Sequence, residues 1–453
     1  MGSPQGEPIF LPREIAAKLF VAPRLQLGSI MSRRFAAPFL VLATFLALPL
    51  PAAVRMTYDI NGKATPIAWA ESSFPLRYQV DQQVAQASPQ ATAMVDRAFS
   101  AWAEIAEAKI RFQNDGVVKG AIAQTPGRVA VTLADDLFSG QGAAAVTSYT
   151  YDTNTGQMLD ADISIDPSLF DGKMDGQMAL EHEVGHVLGL DHSAVLSSIM
   201  YPYVGAPGVV TAFDADDTIA ISEMYPSGDP TLTGATLSGR IMGDQGGIFA
   251  AQVVAVNDQG QPVATGLTDA SGEFSFAGVP AGRYRLYAEP LDGPVDSGAL
   301  QGTWRTAKTI AFPTQFFGGT INVENGRVYG NLVLTTSGPV SLNPRWIGVS
   351  PADRTDVSLS SSPASVSPGS TVTVTVGGDG FVSGMTKFDV LSPAFRRISD
   401  YSWASNYVRA TYEIQPDAPG TSAVVLVNSG RETATLTGAL RVIRTSRGRS
   451  VRH

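Results

Sequence analysis

An α+β unit with a twisted mixed sheet and three helices, followed by two all-β sandwich units, is the fold class this sequence predicts. Three observations predict it. The helical apolar patterns all lie before about residue 226, and from about Gly234 onward Gly and Pro punctuate short alternating runs. A charged fraction of only 16%, with 45 Gly and 29 Pro, suits turn-rich β structure better than helical bundles or acidic disordered tails. A length of 453 residues accommodates roughly three domains of ordinary size.

The elements follow in order. Ser32-Arg33-Arg34, the apolar run Phe35–Leu50 and Pro51-Ala52-Ala53 have the layout of a signal peptide, with a basic start, an apolar core and small residues at the cut. The residues before Met31 do not fit that layout, so Met31 is the expected start, and 1–53 is assigned to an extension plus signal. The run is too short and Pro-flanked for a membrane span. Secretion is the expectation, with an uncleaved anchor as the alternative. Phe74–Val80 alternates as a strand. Ser88-Pro89 has the form of a helix cap and first-turn proline, and Ala91, Met94, Val95, Ala98, Trp102 and Ile105 follow at helical spacing. Lys109–Phe112, Arg128–Leu133 and Ala161–Ile165 are strand candidates. Ala144–Tyr151 is a candidate edge strand with Asp152–Gly156 as its turn. Helices are expected over about Gly176–Leu188 and Asp214–Tyr225, the latter stopping before Pro226. These elements make up 54–228.

Beyond them, Val253–Val256 precedes the turn Asn257–Gly260. Phe274–Phe276 and Tyr284–Tyr287 alternate around the turn at Gly278–Gly282, so 234–335 reads as a small antiparallel β unit. Residues 345–443 repeat the pattern, most clearly at Ser370–Val376 and Ala423–Val427. Residues 444–453, rich in Arg, read as a solvated tail.

The net charge of −9 and the lack of a basic stripe exclude nucleic acid as a natural partner. With no cysteine, the chain has neither disulfides nor thiolate metal ligands. Histidine is scarce, yet three of the four histidines lie in His182-Glu183-Val184-Gly185-His186-Val187-Leu188-Gly189-Leu190-Asp191-His192. Residues i and i+4 share a helix face, so His182 and His186 can aim at one ion. His192 on the same straight helix would point elsewhere. Gly189, able to adopt a left-handed conformation, lets the helix stop and the chain bring His192 back. Three neutral imidazoles suit Zn²⁺ and leave a fourth position for water. Glu183, about 100° around the helix from His182, is placed as the general base. The alternative for the H-E-x-x-H pattern alone is a satisfied surface pair.

The stretch His182–His192, followed at Ser198-Ile199-Met200-Tyr201-Pro202 by a Met-turn, resembles the metzincin signature. Ser193 directly after His192, the strand Ala161-Asp162-Ile163 and the pair Asp216-Asp217 make the chain most similar to the matrixin branch, over about Thr57–Tyr225. The resemblance implies a metzincin catalytic domain with zinc ligands His182, His186 and His192, general base Glu183, and Met200 as an apolar floor. Asp216-Asp217 has the alternative role of an acidic first helical turn.

Departures from the branch are equally legible. Without cysteine, a cysteine-switch latency cannot operate, and His453 alone cannot furnish a second zinc site. Pro202 stands where astacins and serralysins carry a metal-binding Tyr, and Pro202-Tyr203-Val204 replaces the Pro-x-Tyr wall of animal matrixins. Asp152, Asp160, Asp162 and Asp166 offer oxygen ligands for a structural Ca²⁺, or are ordinary surface aspartates.

Ser238–Ile241, Thr268–Phe274 and Pro280–Tyr284 resemble the carboxypeptidase regulatory-like domain, and the last unit resembles an Ig-like sandwich. The functional expectation is a secreted zinc endopeptidase acting on extracellular proteins or peptides, with the β units attaching it to a surface or matrix. The rival is an adhesion protein carrying a metzincin domain of little activity, and a further alternative is a zinc hydrolase acting on a non-peptide bond.

Overall fold

The computed structural model describes residues 55–60, 63–121, 125–134, 144–205, 212–308, 310–338, 340–354 and 357–444. The signal-like segment and the basic tail beyond Arg444 lie outside them. Among the described residues, no helix is long and apolar enough to cross a membrane.

The N-terminal unit is α+β. It opens with a hairpin, β1 (Thr57–Ile60) and β2 (Lys63–Pro66), then β3 (Leu76–Asp81), α1 (Gln82–Ala87), α2 (Ala91–Ala103), β4 (Phe112–Val118), β5 (Arg128–Leu133), β6 (Ala145–Tyr151), β7 (Met158–Ile165), α3 (Gly176–Val187) and α4 (Ala215–Met224). The sheet order is β4-β3-β5-β7-β6. All neighbours are parallel except β6, which pairs antiparallel with β7 and forms one edge. The mixed sheet and the edge strand agree with expectation.

Several starts differ from the sequence reading: β3 begins at Leu76 instead of Phe74, β7 begins at Met158 instead of Ala161, and two further shifts have a local cause. Ser88-Pro89 does not open the long helix. The residue before a proline is pushed to extended backbone, and Ser88 is extended, at φ −153° and ψ 146°. It therefore ends the additional helix α1, which Asp81 caps through the Gln83 amide, and α2 begins after Gln90. The strand expected at Lys109–Phe112 begins at Phe112 instead, because β4 is the other sheet edge, with few buried residues and no clean alternation.

Helix α2 buries Ala91, Val95, Ala98, Phe99 and Trp102, one face of a 3.6-residue period, and lies against α3. The Trp102 indole donates to the Glu181 carbonyl at 2.7 Å. Helix α3 is buried nearly all round. It ends as the sequence anticipates: Gly189 adopts φ +97°, its N–H donates to His186 O at 2.9 Å, and the Leu190 N–H donates to Gly185 O at 3.0 Å. This pair of bonds is the Schellman stop. A Cβ on Gly189 would also sit 2.4 Å from the Ile67 carbonyl oxygen.

Past α4 come a short α5 (Pro230–Thr233) and two β units. The middle unit holds β8 (Ala235–Gly243), β9 (Gly246–Gly247), β10 (Gln252–Asn257), β11 (Pro262–Leu267), β12 (Glu273–Val279), β13 (Gly282–Glu289), a short α6 (Gly302–Arg305), β14 (Gln315–Phe316), β15 (Ile321–Val323) and β16 (Val328–Thr335). Its sheets, β11-β10-β13-β14 and β12-β8-β16, enclose one apolar core. The strands flanking Gly278–Gly282, read as neighbours around one turn, belong to different sheets, and β16 joins β8 in parallel, so the unit is not wholly antiparallel.

The third unit runs from β17 (Asn343–Pro351) through β18 (Ala364–Val366), β19 (Thr371–Asp379), β20 (Lys387–Val390), β21 (Phe395–Arg397), β22 (Ser402–Trp403), β23 (Tyr407–Ile414) and β24 (Ser422–Ser429) to β25 (Glu432–Val442). Its sheets, β17-β19-β23-β21 and β18-β25-β24-β20, again enclose one core. Arg444, assigned to the solvated tail, is held by the carbonyls of Ala418 and Asp417.

The Gly189 stop yields a test. Gly189→Ala forces a side chain into left-handed backbone and against Ile67, so it is expected to cost at least ~1–3 kcal/mol, read from the urea midpoint of the purified chain.

Candidate metal centre

The site is built from α3 and the loop after it. His182 and His186 stand one turn apart, and the turn at Gly189 returns His192 to them. The ring centroids are 4.6, 5.1 and 4.9 Å apart, and all three rings are buried. His186 Nε2 and His192 Nε2 are 3.2 Å apart. Two nitrogens each 2.0–2.1 Å from a tetrahedral ion stand about 3.3 Å apart.

Each Nδ1 faces a main-chain carbonyl. His182 donates to Ile199 O at 2.8 Å, His186 to Leu190 O at 2.8 Å, and His192 to Ala299 O at 2.5 Å. A carbonyl can only accept, so each Nδ1 carries the proton and each Nε2 presents its lone pair inward. Burial holds His182 down to about 3 and His192 down to about 4, and keeps His186 well below its ordinary value, so all three rings are neutral at pH 7. Neutral rings with converging lone pairs are the form that binds a metal. His182 Nε2 is buried without any protein partner, which an ion between the three rings would supply. The residues therefore fit a zinc ion.

Glu183 lies beside this triad, fully buried. Its Oε2 accepts from Thr147 Oγ1 of β6 at 2.6 Å, while Oε1 has no partner. Burial pushes the carboxyl up to about 7, against the opposing pull of the Thr147 hydroxyl. Underneath, Met200 packs against α3 where Gly185 has no side chain: a Cβ there would meet Met200 Sδ at 2.2 Å.

The Met-turn is itself held by α4. Asp217 accepts from the Ser198 hydroxyl at 2.5 Å, from the Ile199 amide at 3.0 Å and from the Asp214 amide at 2.8 Å. It thereby fixes the segment whose Ile199 carbonyl orients His182. Asp216 accepts from Ser193 Oγ at 3.1 Å and from Thr265 N and Oγ1 of the middle unit at 2.9 and 2.8 Å. The pair is an acidic helix start, with Asp217 completing a capping box with Asp214, and a clamp on the loop at once.

Of the four aspartates considered for calcium, Asp152 and Asp166 cap their own turns, at 2.7 and 2.8 Å from the amides of Asn154 and Ser168. Asp160 and Asp162 are buried on β7, and burial with Asp162 alongside pushes Asp160 up to about 7.

Three parts of the site were not legible in advance. Thr147 is an ordinary strand residue in the sequence. Asp191, buried beside His192, gives no signal beyond its neighbour. The acceptor for His192 is a main-chain carbonyl of the middle unit, which no side-chain pattern can announce.

A cluster of three histidines that fits a metal ion, on a helix broken by glycine, over a methionine and beside a mixed sheet, has the layout of a metzincin site. Comparison with known proteins specifies the family. Residues 68–226 match the family model of the matrixins, a family of zinc metalloendopeptidases, and residues 236–293 match that of the carboxypeptidase regulatory-like domain. The chain carries a matrixin domain followed by a carboxypeptidase regulatory-like domain and further β structure. A stretch of 44 residues is 46% identical to karilysin of Tannerella forsythia, covering 10% of this chain and 9% of karilysin. The chain thus spans about a tenth of that relative's length. Among solved structures, the Bacillus anthracis TIE protein is 9% identical over 47% of this chain and 34% of its own, at a TM-score of 0.17. Titin domains Z1Z2 in complex with telethonin are 14% identical over 48% of this chain and 96% of theirs, at 0.13. Scores this low carry no argument about the fold.

The buried α4 carboxylates yield a pH test. Burial, with Asp217 alongside, pushes Asp216 up to about 7 from an ordinary 3.8. A carboxyl raised on folding stabilises the fold when protonated; that contribution is complete below about pH 4 and is lost as pH rises through about 7. Asp216→Asn keeps an oxygen for Thr265 and offers an amide to Ser193 without the charge. The variant is expected to exceed the wild type in unfolding free energy by ~1–4 kcal/mol at pH 8, the difference shrinking toward pH 5 in parallel urea titrations. A difference independent of pH contradicts the assignment.

Proposed function

We propose that this chain is a secreted zinc endopeptidase that cleaves extracellular proteins or peptides. The observation that carries the reading is the convergence of three neutral, carbonyl-oriented imidazoles beside a buried carboxylate with one unpartnered oxygen.

Three ligands leave one coordination position free, as catalytic zinc sites do. The ion, when bound by His182, His186 and His192, would supply an acidified water and polarise the scissile carbonyl. Glu183 is the general base. Its Oε1 is the free oxygen that takes the proton from the attacking water, and the same carboxyl delivers it to the leaving amine. Thr147 holds the other oxygen and so fixes the plane of the carboxylate. β6, antiparallel at the sheet edge, carries Thr147 and borders the site. An extended substrate chain adding to that edge would run past Glu183.

The signal-like N-terminus supports secretion, and extracellular substrates follow from it. The outward faces of the two β units are the surfaces through which the enzyme would attach to a matrix or cell surface. The rival reading, an adhesion protein with a dormant metzincin domain, has no missing or replaced ligand in its favour.

The experiment is direct. The purified chain is expected to bind a single zinc, and to lose it on His186→Ala. Glu183→Ala is expected to keep the zinc while cleavage of an unfolded protein substrate falls by at least ~10²-fold. Undiminished cleavage by the Glu183 variant, or a wild-type chain that takes up no zinc, would overturn the mechanism.

A further inference from the structure

The three imidazoles are oriented from different places. Ile199 and Leu190, the acceptors for His182 and His186, belong to the same unit as the rings and lie within 17 and 4 residues of them. Ala299, the acceptor for His192, is 107 residues away, in the middle β unit. His192 also has the most freedom to lose, because it follows the glycine break instead of standing on the helix.

Ala299 belongs to a strap, Ser297–Gly302, between β13 and β14. The strap is rooted in its own unit. Asp296 caps its first turn at the Gly298 amide, and the Ser297 hydroxyl donates to Ala307 O at 2.9 Å. Leu300 and Trp304 belong to a small core with Leu267 and Leu291, and Trp304 stacks on Phe249.

Its other side meets the matrixin domain at three further points. The Gln301 amide donates to Asp191 Oδ2 at 2.8 Å. The Gln301 side-chain oxygen accepts from Tyr149 Oη on β6 at 2.7 Å. Gly302, at φ +55°, lies so close to β1 that a Cβ there would be 2.1 Å from the Thr57 carbonyl oxygen. Asp191 spends its other oxygen on the His192 amide at 2.8 Å, so the strap grips both the ring of His192 and the backbone that carries it.

We infer that the 297–302 strap of the β unit is a positioning element of the zinc centre, setting the orientation of His192 and making zinc affinity depend on docking between the two units. This rests on the zinc reading of the triad. Partners that orient metal-ligating histidines typically contribute 10–100-fold in metal affinity. Here that contribution comes from a neighbouring unit.

The test uses the full chain and measures zinc affinity by chelator competition, together with the visible spectrum of the cobalt-substituted protein, which reports ligand geometry. Gly302→Val pushes the strap off Thr57 without altering any ligand. It is expected to weaken zinc binding by ~10–100-fold and to change the cobalt spectrum. Tyr149→Phe and Gln301→Ala keep the backbone and are expected to weaken zinc in the same direction by a smaller factor. Should Gly302→Val fail to fold, those two carry the test. Arg283→Ala, an exposed change elsewhere in the β unit, is the control expected to bind zinc as the wild type does. Zinc affinities of the folded strap variants within about twofold of wild type, with an unchanged cobalt spectrum, overturn the strap inference while leaving the zinc reading intact. A wild-type chain that binds no zinc overturns the zinc reading itself.

Discussion

The first turn of α4 is the constraint on which the rest of the structure depends. Three carboxylates, Asp214, Asp216 and Asp217, are buried there within one turn. Such crowding is costly unless every oxygen finds donors, and the donors come from all three units. Ser193, Ser197, Ser198 and the Ile199 amide come from the loop after the histidines. Gln261 and Thr265 come from the middle unit, and Ser422 from the third. The electrostatic cost of the turn is offset only when the loop and both β units are in place, so the loop that carries His192 and the assembly of the chain share one set of hydrogen bonds.

Packing follows the same lines. The loop from His192 to Val204 is divided among cores: Met200 and Val204 join the core of the matrixin domain, whereas Leu196 and Tyr201 are buried in the core of the third unit. Tyr201 donates to Ser361 O at 2.6 Å, and Arg441 reaches the carbonyls of Ser197 and Ala212. Within α4, Ala220 and Ile221 face the matrixin core and Ile219 faces that of the middle unit. The β units are therefore braces of the loop that carries His192 as well as appendages, a role that composition and turn patterns gave no means of assigning.

What the sequence revealed and what it withheld divide by distance along the chain. His182, Glu183, His186, Gly189 and His192 were legible because helical spacing and one left-handed glycine fix their relation locally. The edge strand carrying Thr147 was legible from its alternation, but its hydroxyl on Glu183 was not, since a strand threonine has many ordinary roles. The start of α2 was misplaced because a proline can open a helix or end the one before it, and the local sequence does not decide. β4 was misplaced because an edge strand with little buried surface leaves no apolar rhythm. The split of β12 and β13 between two sheets depends on how a sandwich closes, which no turn encodes. The Ala299 carbonyl was invisible for the plainest reason: every residue has one.

The separation between His192 and its acceptor also has a temporal side. Chains emerge from the ribosome N-terminus first, and domains generally fold as units in that order. All three imidazoles are synthesised before the residue that braces the third, which follows 107 positions later. A nascent matrixin domain would therefore hold the His192 ring without its acceptor until the next unit had emerged and docked.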